Sequence, residues 1–471
     1  MKHTITAFLT LCLAMAAQAE VRVWKDASGA HEIKAELVGV KGNQVTLKRE
    51  NGTTITLSLN QLSKADQALL GGGSGGGGAA AGDWPQWRGP NRDDVSKETG
   101  LLKKWPSEGP KRAWVSEDAG LGYSGFAIVG GKLYTMGLFD AEEKVVCLDA
   151  ATGKKVWDSP VGAIYKNKWG DGPRCTPTVA GGKVYAIGGN GDLVCLDAAT
   201  GKQDWAKSLT KDLGGALQSW GYTESPLVDG DLVIVTPGGG QGAIAALSTK
   251  TGKVEWQTKD VAENAQYSSI IPIDHGGQRQ YVQLLMKSIL GVSKDGKVLW
   301  KSDFPGATAV IPTPIYNDGQ IYVAAGYGVG CKAVKLGSGS AEEVFSNKNM
   351  VNHHGGVILI DGLLYGHSDG RPGGWTCQDF KTGEVVWQDQ GIGKGAVTSA
   401  DGMLYCQAER DGTIALVEVS KSGWKMVSSF KLEAQSSQRS PDGRIWTHPV
   451  VAGGKLFLRD QEFISCYDIK G

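Results

Sequence analysis

Three histidines, a lysine, an arginine, a glutamate and several aromatics stand where this chain could do chemistry. His353 and His354 are adjacent, His448 follows Trp446-Thr447, and Lys394 lies between two glycines. Arg174 precedes Cys175-Thr176-Pro177, Glu224 sits in Tyr222-Thr223-Glu224-Ser225-Pro226, and Tyr123 and Tyr267 each precede a serine. Such groups can hold a polar ligand, and His, Lys and Tyr can pass protons as general acid or base. A zinc site is a poor match, because adjacent histidines on a strand point to opposite faces. Asn91-Arg92-Asp93-Asp94 reads as a loop, not as an oxygen-rich calcium site. Pro237-Gly238-Gly239-Gly240 lacks the ending of a phosphate loop, and Gly326-x-Gly328-x-Gly330 opens no helix. The zincin motif H-E-x-x-H is absent from the sequence.

The elements that must position these residues are strands. Among 471 residues, 69 are glycine, about twice the usual ~7%, which implies many tight turns and argues against a helical chain. Lys plus Arg and Asp plus Glu are 49 each, so no global field favours nucleic acid or anionic lipid. A hydrophobic share of 41% supports a packed core.

A repeat organises most of the chain. VCLDAATGKKVW ends at Trp157 and VCLDAATGKQDW at Trp205; weaker copies end at Trp256, Trp300 and Trp387, and degenerate ones at Phe345 and Val427. Between them recurs an apolar run, a Gly turn and a strand centred on Tyr134, Tyr185, Val233, Tyr281, Tyr322, Tyr365, Tyr405 or Phe457. One unit of about 45 residues fits four antiparallel strands, a blade of a β-propeller. Eight aromatic-strand motifs stand against seven complete hairpins, and the last copy stops at Gly471. Trp114, which lacks an upstream turn, therefore supplies the missing strand: residues 113–117 close an eight-bladed ring with 454–471. The tryptophans are expected to pack between blades.

The cysteines follow the same repeat. Cys147, Cys195, Cys331 and Cys377 each lie six residues before a turn glycine, where other copies place Ala246, Leu290 and Val417. A slot that accepts all of these is a small apolar core position. No C-x-x-C occurs, so a disulfide framework is not expected.

Lys2 and His3, an apolar run from Ile5 to Ala17 and Ala17-Gln18-Ala19 have the form of a secretory signal peptide, residues 1–19. No later stretch approaches the ~20 apolar residues of a membrane span, so the expected address is periplasmic or secreted. Residues 20–70 alternate as strands at Ile33–Val40, Val45–Leu47 and Ile55–Leu59, and Ser63-x-x-Asp66 reads as a helix cap, suggesting a small SH3-like β-barrel. GGGSGGGGAAAG, residues 71–82, is a flexible tether of roughly 20 Å reach. The propeller occupies 83–471, with 83–112 as an N-terminal arm.

Residues from VRVWKDASGAHEIKAELVGV to LNQLSKADQ resemble the SHD module, first described in adaptors that bind short peptides. This resemblance implies a peptide or protein partner. DWPQWRGPNRDD, the TGKxxW copies, WGYTESPLVDGD, NHHGG and WTHPVV resemble the PQQ-like (pyrroloquinoline quinone-like) propeller repeat family, which includes BamB-like scaffolds and, more distantly, quinoprotein dehydrogenases. The resemblance is specific for fold and weak for activity. The quinoproteins stack their cofactor against a Cys-Cys ring and a Trp, and hold calcium with Glu, Asn and Asp. This chain has no Cys-Cys pair.

In a propeller, the residues just before each inner strand ring the central funnel. That slot collects Tyr123, Arg174, Glu224, Tyr267, His353, His354, Lys394, Trp446 and His448 as a ligand site. The expected function is a secreted, non-catalytic binding or scaffold protein, with a small polar ligand in the funnel. The alternatives are a PQQ- and calcium-dependent alcohol or sugar dehydrogenase, or a hydrolase or lyase using the funnel residues.

Overall fold

The computed structural model describes residues 21–29, 31–41, 44–49, 51–58, 61–63, 66 and 82–471. The expected signal peptide and the tether up to Ala81 lie outside the described residues. The chain divides into two compact units, Met1–Ser74 and Gly75–Gly471.

The first unit is a four-stranded antiparallel meander, Val21–Lys25, Glu32–Lys41, Gln44–Arg49 and Thr54–Ser58. A further bridge joins Asp26 to Leu62. Trp24, Ala35, Val45, Leu47 and Leu62 form its core. The Trp24 indole N–H donates to the Ala35 carbonyl at 3.0 Å, so the large ring is buried without an orphaned donor. At the expected helix cap, Asp66 N–H donates to Ser63 Oγ at 3.1 Å, and that hydroxyl donates to Asp66 Oδ2 at 2.8 Å. The helix it would open lies largely outside the described residues. Asn51 Oδ1 accepts from the Thr53 N–H, which is hairpin-turn chemistry.

The second unit contains, among the described residues, eight sheets built on four antiparallel strands; the four are consecutive in seven of them, one of which gains a fifth, parallel strand, and the eighth takes its fourth strand from the start of the unit. Their first strands, which define blades 1 to 8, are Ala127–Val129, Thr178–Ala180, Leu227–Asp229, Ile271–His275, Ile315–Asn317, Val357–Ile360, Gly395–Ala400 and Val450–Ala452. First strands of neighbouring blades approach one another, so they are the innermost. Arg112–Ser116 supplies the outer strand of blade 8, pairing with Phe463–Asp468 in a register that sets Trp114 opposite Cys466. Buried Arg459 locks the same joint by donating to the carbonyls of Ser124, Met136 and Gly120 in blade 1 at 2.9 Å each.

The seams between blades repeat one device. Trp114, Trp157, Trp205, Trp256 and Trp387 each donate their indole N–H to a backbone carbonyl in the following blade: Ala150, Ala198, Thr249, Lys294 and Ser420, at 2.8–3.2 Å. The first four rings lie flat on the positive-φ turn glycines Gly153, Gly201, Gly252 and Gly296. A methyl group at Gly201 would come within 2.7 Å of the Trp157 ring, so these glycines serve both the turn and the seam.

The small slot lies inside each sheet: Cys147, Cys195, Ala246, Cys377 and Cys466 face Trp157, Trp205, Trp256, Trp387 and Trp114 across the strands. All seven described cysteines are buried and unpaired. Two slot assignments shift. Trp300 faces Gly291, with Leu290 opposite Lys301, and Phe345 faces Ala333, with Cys331 opposite Asn347. Blades 4 and 5 turn through Ser293–Gly296 and Gly337–Ser340, whose hydrogen-bonded turns differ from the D-x-x-T-G turn, so a fixed count back from the glycine misses the register.

Candidate functional site

The inner rim is built first from serine and threonine. The Gly125 N–H donates to Thr176 Oγ1, Thr176 N–H to Ser225 Oγ, and Ser225 N–H to Ser269 Oγ, at 3.0–3.2 Å. Each hydroxyl before an inner strand thus ties that strand to the preceding blade. The Ser/Thr-Pro pattern is architecture, and it leaves the intervening side chains free to face the axis.

The axis is occupied by the arm, DWPQWRGPNRDD. Trp84 bridges Ile128 of blade 1, and the Pro85 carbonyl accepts from Val179 N–H of blade 2. Arg92 donates to the carbonyls of Ser225, Pro226 and Ile270, serving blades 3 and 4. Trp87 donates to Thr313 Oγ1 at 2.9 Å, and Arg88 to the Val357 carbonyl at 2.6 Å. The Asp94 carbonyl accepts from Ser399 N–H, Val95–Ser96 adds a parallel strand to blade 7, and Glu98 takes the Gly453 and Gly454 N–H groups of blade 8. One segment therefore touches all eight blades. It holds Arg88, Arg92 and Asp94 at φ of 57–61°, a left-handed conformation that side chains other than glycine rarely adopt.

Above this plug lies a cavity of about 230 Å³. Of the nine residues assigned from the sequence, Tyr123, Arg174, Tyr267, His353, His354, Trp446 and His448 line it. Glu224 and Lys394 do not. Glu224 is buried beneath the wall, where its carboxylate accepts from Thr236 N–H at 2.6 Å, Thr236 Oγ1 at 2.9 Å and Gln283 Nε2 at 3.3 Å. Burial pushes its carboxyl up to about 7, against the Thr236 bonds and the Arg92 charge. Lys394 stands behind His353, donating to its Nδ1 at 2.9 Å and to Asp369 Oδ2 at 2.5 Å.

That contact fixes a tautomer. An ammonium only donates, so His353 Nδ1 accepts, and Nε2 carries the proton it donates to the Tyr327 oxygen at 2.9 Å. Burial, with His354 and Lys394 nearby, pushes the His353 imidazole down to about 2, which keeps it neutral. The Tyr327 O–H is left to donate into the funnel. Tyr327 is 44% exposed and held at φ 55°, an unusual conformation for an aromatic residue.

His354 Nε2 meets Glu409 Oε2 at 2.9 Å, and Trp446 Nε1 donates to the same oxygen at 3.2 Å. Burial depresses the His354 pKa; it would raise that of Glu409, but the His354 and Lys394 charges hold the carboxylate below its usual range. His448 Nε2 donates to the His354 carbonyl at 2.8 Å, and its ring packs on Trp87 at 4.7 Å.

Arg174 spends Nη1 and Nη2 on the carbonyls of Gly172 and Gly170 and lies over the Tyr123 and Tyr165 rings at 5.5 and 5.1 Å. Among the described residues no carboxylate pairs with it. Burial lowers its pKa slightly against Tyr123, Tyr165 and Glu143. Arg88 forms the floor, its Nε 3.0 Å from Asp94 Oδ2 while Nη1 has no partner.

Sequence reasoning missed Trp87, Arg88, Trp169, Trp220 and Tyr327, all of which line the cavity. Trp-Gly pairs at Trp169 and Trp220, each a few residues before a Thr-Pro or Ser-Pro, were the available signal for two of them. The lining includes no Asp, Glu, Asn or Gln, and the described residues hold no cluster of three or more His, Cys, Asp or Glu able to take a metal. The donor set therefore does not fit a calcium-bound quinone, since Glu224, the acid nearest that role, is turned to Thr236 and Gln283.

No curated protein sequence matches the chain. Among solved structures, BamB from Moraxella catarrhalis aligns with a TM-score of 0.56 and 14% identity over 76% of this chain and 100% of its own. Quinohemoprotein alcohol dehydrogenase from Comamonas testosteroni aligns at 0.59 and 13%, over 83% and 81%. The computationally designed Ika8 protein aligns at 0.54 and 12%, over 76% and 100%. At these identities the likeness is one of fold. Residues 14–72 match SLA1 homology domain 1, SHD1. Residues 141–389, more than half of the chain, match the family described as outer membrane protein assembly factor BamB (PQQ_2), and the chain belongs to that family.

Proposed function

We propose that this is a secreted, non-catalytic binding protein: the propeller funnel takes a small polar ligand, and the SHD1 module, on its glycine-rich tether, takes a peptide or protein partner. One observation carries the reading. The cavity is walled by aromatics, floored by the arm and supplied with Arg88 and Arg174, and it has no carboxylate or amide side chain in its lining. Such a site is built to hold an anion against aromatic faces. The SHD1 match supports a protein-interaction role for the small unit. Among the described residues no helix is long and apolar enough to cross a membrane.

The test is calorimetric titration of PQQ with calcium into the purified full chain, followed by assay with an artificial electron acceptor and a panel of alcohols and sugars. The expected result is no binding and no turnover by folded protein. Stoichiometric binding that is lost in Arg174→Ala, with turnover, would replace this reading by a quinoprotein dehydrogenase. A second reading, a hydrolase or lyase, is favoured by the Glu409–His354 pair, in which a carboxylate orients an imidazole at the cavity wall.

A further inference from the structure

The cavity's polar and apolar groups alternate in a way that narrows its ligand. Trp87, Trp169, Trp220 and Trp446 all line it and all remain half-exposed, so four indole faces from the arm and three different blade junctions look onto one space. Trp220 stands edge-on to Tyr267 at 5.6 Å, and Trp446 lies 5.0 Å from Tyr123 at 49°, so each of these indoles is inclined to the tyrosine beside it. Between them stand hydrogen-bonding groups. The indole N–H groups of Trp169 and Trp220 have no partner among the described residues, the Tyr327 O–H is presented by the His353–Lys394–Asp369 chain, and the Ser269 hydroxyl completes the wall. A planar aromatic acid would cover one indole and leave these donors unpaired. A sugar ring offers C–H faces to inclined indoles and hydroxyls to the donors between them.

Charge adds the second requirement. Arg174 lacks a carboxylate partner, and two of its N–H groups are pinned by carbonyls, which fixes the direction of the rest. Arg88 lies almost wholly buried at the floor, its Nε paired with Asp94 Oδ2 at 3.0 Å. Arg174 and the Asp94-paired Arg88 line the space, and no acid does. A guanidinium with no carboxylate partner, as Arg174 has none, gains a charge-assisted hydrogen bond when an anion arrives. Arg174 precedes blade 2 and His353 precedes blade 6, four blades apart in a ring of eight, so the anion-binding wall and the Tyr327 donor stand across the axis from each other.

We propose that the funnel binds a carboxylate-bearing saccharide, its sugar rings laid on the Trp87, Trp169, Trp220 and Trp446 indoles and its carboxylate held by Arg174. This inference rests on the binding reading above and names the ligand class of that same site. Tyr327 is the positioning group on the far wall, its donor direction fixed by the lysine behind His353.

The experiment titrates the full chain with trimers of galacturonate, mannuronate and glucuronate, followed by calorimetry and intrinsic tryptophan fluorescence. The trimer that binds is compared with its fully methyl-esterified form, which keeps the sugar and removes the charge. The acid is expected to bind about tenfold or more tighter than the ester, the scale of one charge-assisted hydrogen bond. Arg174→Gln should bring that ratio close to one, while Trp220→Ala should weaken both forms alike; thermal unfolding of each variant checks its fold. Equal affinity for acid and ester, or no binding of any of the three trimers by folded protein, overturns the proposal. Chromatography of the trimer after incubation separates the two levels. A cleaved trimer leaves the ligand class standing and overturns the non-catalytic reading, whereas PQQ binding without trimer binding overturns both.

Discussion

The outer seams of the propeller and its axis solve the same problem, holding eight sheets in a ring, by opposite means. At the seams an indole donates to a carbonyl of the next blade at five junctions, and at four of them it also lies on a turn glycine there. On the axis nothing repeats. One strained segment reaches every blade through a different contact, and its two guanidiniums serve three of the eight. The seams share the load, so each is replaceable in kind: Phe345 stands in for Trp at one junction, over Gly383 and without an indole bond, and Trp300 turns instead to Gln280 of its own blade at 2.7 Å. The axial segment has no second copy. Redundancy at the rim and singularity at the centre explain why the ligand cavity sits at the axis, where one chain segment can be specialised without disturbing the repeat.

The comparison breaks most sharply at Arg88. Arg88→Ala leaves buried Asp94 with only His448 Nδ1, 3.5 Å away, abandons the Val357 carbonyl, and is expected to cost about 5 kcal/mol in urea denaturation. Trp205→Ala, at a regular seam, should cost about 4 kcal/mol by the same measurement, through lost burial and the void over Gly252. If the seam variant proves the more damaging, the centre is not the singular element described above.

Glu224 sharpens the contrast through pH, because it couples the rim hydroxyls to Arg92 of the arm. Its folded pKa, about 7, lies above its ordinary value of 4.5. Below 4.5 both states are protonated and no penalty exists. Between 4.5 and about 7 the unfolded chain loses its proton first, so stability falls as pH rises, by roughly 3 kcal/mol at most, and the loss is complete above that window. Denaturation midpoints at pH 5 and pH 8 should differ less in Glu224→Gln than in the parent. An unchanged difference removes Glu224 from the account. The smallest effect belongs to a single seam bond: Trp387→Phe keeps the ring and loses the donation to Ser420, about 1 kcal/mol.

What the sequence determined by itself is the periodic part. Strand alternation, the D-x-x-T-G turn and the returning tryptophan are local rules, and each copy restates them, so blade after blade and the strand at Trp114 were legible from spacing. Where a turn changed length, in blades 4 and 5, the same counting slipped by one residue at Leu290 and by two at Cys331. The rim slot was legible too, because the residue before an inner strand must face the axis, and it placed Tyr123, Arg174, Tyr267, His353, His354, Trp446 and His448 at the cavity. Only the tertiary structure decided how deep each neighbour sits: Glu224 found acceptor-hungry donors in Thr236 and Gln283 and turned inward, while Lys394 paired with Asp369 behind His353. It alone also showed that the arm fills the axis. Arg88, Arg92 and Trp87 meet partners more than a hundred residues away, on blades 3 to 6, and no local pattern encodes a contact whose two halves become neighbours only when the ring has closed.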